Sequence, residues 1–259
     1  MKNILLTLSY DGTDFCGWQR QDSGVRRNVV RTVQGELEDA LCKMLKTQVS
    51  VQGSGRTDSG VHATAQAATF FSPHDSVPVR NYCRALNGLL PPDIRVMDSM
   101  EVPGCFSARF SATSRTYRYV LYTGSVPPAY CTRYVWHLPY RPCLERLNAM
   151  ASVLRGELDC ATFCASGDQS TSTFRCLHSA RFWYESDERL LFEIEANAFL
   201  WKMVRSVLGT LIQLEHENKS AEDFAAIVHS RDRSRAGITA PPSGLFLHRV
   251  NFDGIRVHP

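Results

Sequence analysis

Apolar positions along the first hundred residues change period several times, and each change marks an element. Residues 3–9 are rich in Ile and Leu and run straight into Asp11-Gly12, which predicts a strand. Val33, Leu37, Ala40, Leu41, Met44 and Leu45 recur at the spacing of one helix face, and Thr32 stands where an N-cap belongs. A short strand over 48–52 leads into a glycine-rich loop, and the apolar, aromatic run 65–71 predicts another strand. Residues 79–90 have helical spacing and stop before Pro91 and Pro92, since the residue before a proline is pushed out of the helical region. A strand over 94–100 completes the order β-α-β-β-α-β, the ferredoxin-like arrangement.

The second half repeats that order loosely. Residues 116–122 alternate as a strand, with 134–138 as an extra one, and 144–154 are helical. Residues 177–184 and 190–196 read as a hairpin around Glu185-Ser186-Asp187. A strongly apolar helix over 199–214 and another over 221–229 precede a final strand at 245–251, after Pro241, Pro242 and Gly244. The fold expected is α+β, built of two pseudo-symmetric ferredoxin-like (RRM-like) halves. Their sheets are mainly antiparallel, with helices on one face and an active-site cleft between the halves. The boundary falls near 103–107, giving an N-terminal half 1–105 and a C-terminal half 106–259.

Composition narrows the class. In 259 residues, 44% hydrophobic, the 13 Phe, 9 Tyr and 4 Trp are too many for a chain that cannot collapse. The longest apolar stretch, around 199–214, is broken by Lys202 and Arg205, so no membrane segment is expected. The N-terminal apolar core, 4–8, is too short for a secretion signal, and a cytoplasmic address follows. Nine cysteines at irregular spacing suit reduced thiols. Cys160, Cys164, Cys176 and His178 come nearest to a zinc set, but no second close pair answers the first. The net charge is only +3, yet 24 of the 29 basic residues are arginine, whose planar fork suits phosphates and base edges.

Three clusters carry candidate chemistry. The first is Gly53-Ser-Gly-Arg-Thr-Asp-Ser-Gly-Val-His62, whose glycines let the backbone turn tightly. It lacks the Gly-Lys-Ser/Thr of a phosphate loop and instead presents Asp58 two residues from Arg56. Asp58 is either a turn-former or a working carboxylate; His62 packs or makes a local hydrogen bond. The second is Arg205, inside an apolar helix on the face shared by Trp201, Leu208 and Ile212. It either snorkels to water or is buried against a carboxylate, for which Asp58 is the candidate; such a partner would keep Asp58 ionised, as a nucleophile or base needs. The third interleaves Arg109, Arg115 and Arg118 with Phe106, Phe110, Tyr117 and Tyr119. That is either an ordinary amphipathic strand or a surface for unstacked bases. Arg26, Arg27 and Arg31 in one loop, and Arg231, Arg233 and Arg235 in another, are solvated faces or further phosphate contacts.

Taken together, Tyr10-Asp-Gly-Thr-Asp-Phe-Cys-Gly-Trp-Gln19, Thr32-Val-Gln34 and Gly55-Arg-Thr-Asp-Ser-Gly-Val-His-Ala63 resemble the tRNA pseudouridine synthase A family. So do Phe110-Ser-Ala-Thr, Tyr117-Arg-Tyr119, Asn197-Ala-Phe199, Met203-Val-Arg205 and Gly244-Leu245, in the family's order. The resemblance implies an isomerase that converts uridine to pseudouridine in tRNA, at about nucleotides 38, 39 and 40 of the anticodon stem-loop, on a base flipped out of the stack. It implies that Asp58 is the catalytic carboxylate, that Tyr117 stacks on the target uracil, and that Arg205 pairs with Asp58. Arg56 then helps hold the flipped nucleotide, Leu245 lines the substrate site, and Phe106, Arg109, Phe110, Arg20, Gln169 and Ser170 touch RNA. It further implies a homodimer working on tRNA with no cofactor, no metal and no membrane. Two departures stand out: the Arg-bearing segment 21–31 is longer than usual, and Leu200-Trp201-Lys202 replaces more polar residues.

Overall fold

The structure, a computed structural model, describes residues 1–21 and 30–255. The described elements are, in order, β1 (Lys2–Tyr10), α1 (Val33–Leu45), β2 (Gln52–Gly53), β3 (His62–Ser72), α2 (Asn81–Asn87) and β4 (Ile94–Val102). There follow β5 (Ser114–Tyr122), β6 (Trp136–His137), α3 (Leu144–Ser152), β7 (Gly156–Asp159), β8 (Phe174–Ser186), β9 (Arg189–Ala196), α4 (Met203–His216), α5 (Ala221–Ser230) and β10 (Leu245–Asn251). The protein is mixed α+β with mostly antiparallel strand pairing. Its described residues divide into two compact units, Met1–Thr113 with 246–255, and Ser114–Leu245.

In the first unit β1 lies between β4 and β3, antiparallel to both. The start of β10 runs parallel to the start of β3, pairing Phe246 with His62 and Leu247 with Ala63. Ile4, Leu6 and Leu8 alternate along β1 with no exposed surface, and Phe70 lies opposite Ile4. On the alternate positions Leu5 and Ala67 pack with Ala108 under Val102, Phe106, Val250 and Phe252. Helix α1 starts where expected, because the Thr32 hydroxyl accepts from Gly35 N. Helix α2 is shorter than its periodicity suggests. It ends at Gly88, and Leu89 and Leu90 only fold back onto the Leu86 carbonyl. Strand β2 is likewise only two residues long.

In the second unit β9 lies between β5 and β8, and β7 pairs with β8, all antiparallel. Strand β7 escaped the pattern reading because Gly156-Glu-Leu-Asp159 has one large apolar residue; backbone bonding to β8 makes it a strand. The hairpin turn is the pair Asp187-Glu188, since Ser186 pairs with Arg189. Asn148 of α3 brackets the Phe182 peptide, donating to its carbonyl at 3.0 Å and accepting from its N–H at 2.8 Å, which fixes the helix on β8. Helix α4 begins at Met203 rather than 199. Lys202 sits in the left-handed region at φ 58°, and Asn197 Oδ1 accepts from Cys176 N and Ala198 N, so the entering chain is spent on a turn. A capping box between Ser220 and Asp223 opens α5.

Candidate active site

Asp58 is half-buried on the loop joining β2 to β3. The loop is anchored at its entry: Ser54 N donates to Ala67 O, Ser54 Oγ donates to Gln66 Oε1 at 2.7 Å, and Gln66 Nε2 donates to Gly55 O. Around the carboxylate the anchoring comes from the segment after β1. Trp18 N donates to Thr57 O at 3.1 Å, and the Thr57 hydroxyl shares a 2.8 Å hydrogen bond with Tyr10 Oη. The Phe15 carbonyl accepts from Gly60 N at 3.3 Å and from Ser59 Oγ at 3.1 Å. Asp58 O accepts from Val61 N, closing a tight turn. The residues on both sides of Asp58 are therefore held by residues 15–18, which fixes where its Cα–Cβ bond points.

Two glycines make this approach possible. A Cβ on Gly12 would lie 1.9 Å from Val61 O, and one on Gly17, at φ +90°, would lie 2.6 Å from Thr57 O. The Tyr10–Gln19 motif is thus a platform beneath the Asp58 turn. His62 is fully buried, accepts from Gly12 N at Nδ1 (3.0 Å) and stacks on Phe246, with ring centroids 4.8 Å apart. It packs and bonds locally, as expected.

The second unit holds Tyr117 and Arg205. Tyr117 lies on β5, nearly buried, edge-on to Phe199 with centroids 5.1 Å apart. Arg205 is in the first turn of α4 and partly exposed; its Nε donates to Ala240 O at 2.8 Å, while its own carbonyl accepts from Ala240 N. Of the residues expected to share its helix face, Leu208 and Ile212 do so and are buried, whereas Trp201 lies before the helix and is exposed. Leu245 is buried and follows the turn in which its N–H donates to Pro242 O. The loop with Gln169 and Ser170, both exposed, is locked to the chain entering α4: Ala165 N donates to Trp201 O, and Trp201 N donates to Asp168 Oδ2. Burial pushes the Asp168 carboxyl up, but hydrogen bonds from Ser170 and Trp201 outweigh it and hold the group below its ordinary range.

The remaining candidates differ in what they touch. Arg56 is exposed. Arg109 lies over the exposed Phe110 ring at 5.3 Å, and Ser107 Oγ caps the backbone of both. Phe106 is half-buried against Phe252 at 5.0 Å. Arg20 pairs with Glu38 and Asp39, Arg118 with Glu193, and Arg231 with Asp159. Arg26 and Arg27 lie outside the described residues. Among the described residues no group of three or more His, Cys, Asp or Glu could hold a metal ion, and no helix is long and apolar enough to cross a membrane. All nine cysteines are unpaired, and burial pushes the Cys160 thiol up to about 12. The signal that sequence reading under-used was the pair of glycines at 12 and 17, which mark backbone contact with another loop.

A family model described as tRNA pseudouridine synthase matches residues 7–111 and 150–253, so the class is that of isomerases acting on uridine in RNA. A tRNA pseudouridine synthase A of Treponema denticola is 53% identical over 251 residues, covering 97% of this chain and 93% of the relative. One from Caldicellulosiruptor saccharolyticus is 40% identical over 247 residues, covering 95% and 98%. The chain belongs to the tRNA pseudouridine synthase A family.

Proposed function

We propose that this isomerase converts uridine to pseudouridine at about nucleotides 38, 39 and 40 of the tRNA anticodon stem-loop, acting on a flipped-out base. Asp58 is its catalytic nucleophile or base. The observation that carries the reading is the Asp58 turn itself: a half-buried carboxylate whose flanking peptides are hydrogen-bonded to Phe15 and Trp18. Such a carboxylate keeps its aim while a glycosidic bond breaks, the uracil turns, and C5 bonds to C1′. It can attack C1′, attack C6, or take a sugar proton.

In this reading Tyr117 stacks on the target uracil, offsetting the extrusion cost by about 1–3 kcal/mol. Arg205 pairs with Asp58 and keeps it charged, Arg56 holds the flipped nucleotide, and Leu245 lines the site. Arg109, Phe110, Arg20, Gln169 and Ser170 contact RNA; the exposure of Phe110 beside Arg109 supports that use. Phe106 serves the same surface from its packed position. The N-terminal half carries the Asp58 loop, and the C-terminal half carries the Tyr117 strand and the Arg205 helix. Both are ferredoxin-like. The order β4-β1-β3 with β2 beside β3, and β5-β9-β8 with α3 after β5, supports that architecture. The enzyme works as a cytoplasmic homodimer without cofactor or metal.

Incubation with unmodified tRNA transcripts, followed by mapping of pseudouridine, tests the substrate. Modification confined to other positions overturns the site assignment. Asp58→Asn and Asp58→Ala are expected to abolish product while tRNA binding persists; full turnover by purified Asp58→Ala overturns the catalytic assignment.

A further inference from the structure

Arg31 belongs to the arginine-bearing segment grouped above with possible phosphate contacts. Its guanidinium is turned instead onto its own chain. Nη1 and Nη2 donate to the two Asp93 carboxylate oxygens at 2.7 and 3.0 Å, and Nε donates to Glu36 Oε1 at 3.0 Å. The guanidinium carbon lies 4.1 Å from the centroid of the buried Phe15 ring. The Asp93 hydrogen bond, strongest of these influences, together with Glu36, outweighs burial and raises the Arg31 pKa further, so the group is a permanent cation. Both backbones join the arrangement, with Cys16 N donating to Arg31 O at 2.9 Å and Asp11 N donating to Asp93 O at 3.0 Å.

Phe15 is the residue whose carbonyl holds Ser59 and Gly60, directly after Asp58. A continuous path therefore runs from the Arg31–Asp93 fork, through the Phe15 ring and the Cys16 peptide, to the Asp58 turn. All of it lies within one compact unit.

We infer that Arg31 is a positioning residue for the isomerisation: clamped by Asp93 and Glu36, it holds the Phe15 turn that aims Asp58. This rests on the reading of Asp58 as the catalytic carboxylate. Misplacing a reacting group by about 1 Å can cost about 100-fold in rate, so loosening the Phe15 turn falls on turnover. An RNA contact behaves differently. Losing one phosphate contact raises KM and flattens the salt dependence of binding by about one unit of slope.

The experiment compares wild type, Arg31→Ala, Arg31→Lys and Asp58→Ala on an unmodified tRNA transcript. Turnover, KM, the salt slope of binding and the melting temperature are measured for each. The expected result for Arg31→Ala is a kcat lowered about 10- to 100-fold, with KM and salt slope unchanged. Added guanidinium ion at low millimolar concentration restores part of the rate. Arg31→Lys keeps the charge but not the two-pronged fork, and falls between. An unchanged kcat with raised KM and a shallower salt slope makes Arg31 an RNA contact and overturns the proposal. A lowered melting temperature with unchanged kcat makes it a structural brace only, and also overturns it. Should Arg31→Ala fail to fold, Asp93→Asn, which keeps the shape and removes the charge, gives the same readouts. Absence of product from wild type, or activity in Asp58→Ala, sinks the underlying reading instead, and the controls separate the two failures.

Discussion

At the scale of single residues, backbone geometry around Asp58 does most of the explaining. Gly17 combines a positive φ with a carbonyl where a side chain would begin. Gly17→Ala therefore meets conformational strain and a backbone clash together, and is expected to destabilise the protein by about 1–3 kcal/mol in urea titration. Turnover is expected to fall further than the folded fraction does, because the displaced peptide is the one preceding Asp58. Charged residues away from this loop have a different signature. Burial pushes the Glu193 carboxyl up, but hydrogen bonds from Arg118 (2.7 Å) and Arg181 (2.8 Å) outweigh it and lower its pKa from the ordinary 4.5. A depressed carboxylate pKa contributes stability above the unfolded-state value and loses it as pH falls through the folded one. Wild type is thus expected to melt above Glu193→Gln near neutral pH. That difference shrinks as acid is added below about pH 4.5; a constant gap across the range rules out this linkage.

Elements here owe their limits to caps and turns as much as to periodicity. Helix α5 starts at Ser220 because its side chain accepts from Asp223 N while the Asp223 carboxylate accepts from Ser220 N. Ser220→Ala is expected to cost about 1 kcal/mol, read as a lower urea midpoint, with pseudouridine formation unchanged. Helix α4 shows the converse. Its apolar run is longer than the helix, because Lys202 takes a left-handed conformation and Trp201 is hydrogen-bonded to the loop bearing Gln169 and Ser170. That places Arg205 in the first helical turn, where Ala240 grips it through side chain and backbone alike.

For the whole molecule, the proposed function draws on both compact units: Asp58 is in one, and Tyr117 and Arg205 are in the other. The net charge of +3 is modest for a protein that grips tRNA, and several arginines, among them Arg20, Arg31, Arg118 and Arg231, are already paired with carboxylates. On the cations outside such pairs, tRNA affinity is expected to fall with log salt at a slope of about −0.7 to −0.9 for each phosphate contact. A flat response removes phosphate contact as the main source of affinity.

The order of elements and the motif around Asp58 were legible in the chain alone. Periodicity records which face of a strand or helix is buried, and the Gly-Arg-Thr-Asp block needs no distant partner to be recognised. Strand β7 and the start of α4 were not legible, because backbone pairing and a single left-handed residue leave little mark on hydropathy. Nor was the direction of Arg31. An arginine near other arginines looks the same in sequence whether it faces solvent or a carboxylate 62 positions away. Which carboxylate closes on it, and which loop lies beneath Asp58, are matters of long-range closure. Only the folded chain decides them, since the desolvated charges and close backbone contacts involved exist nowhere else.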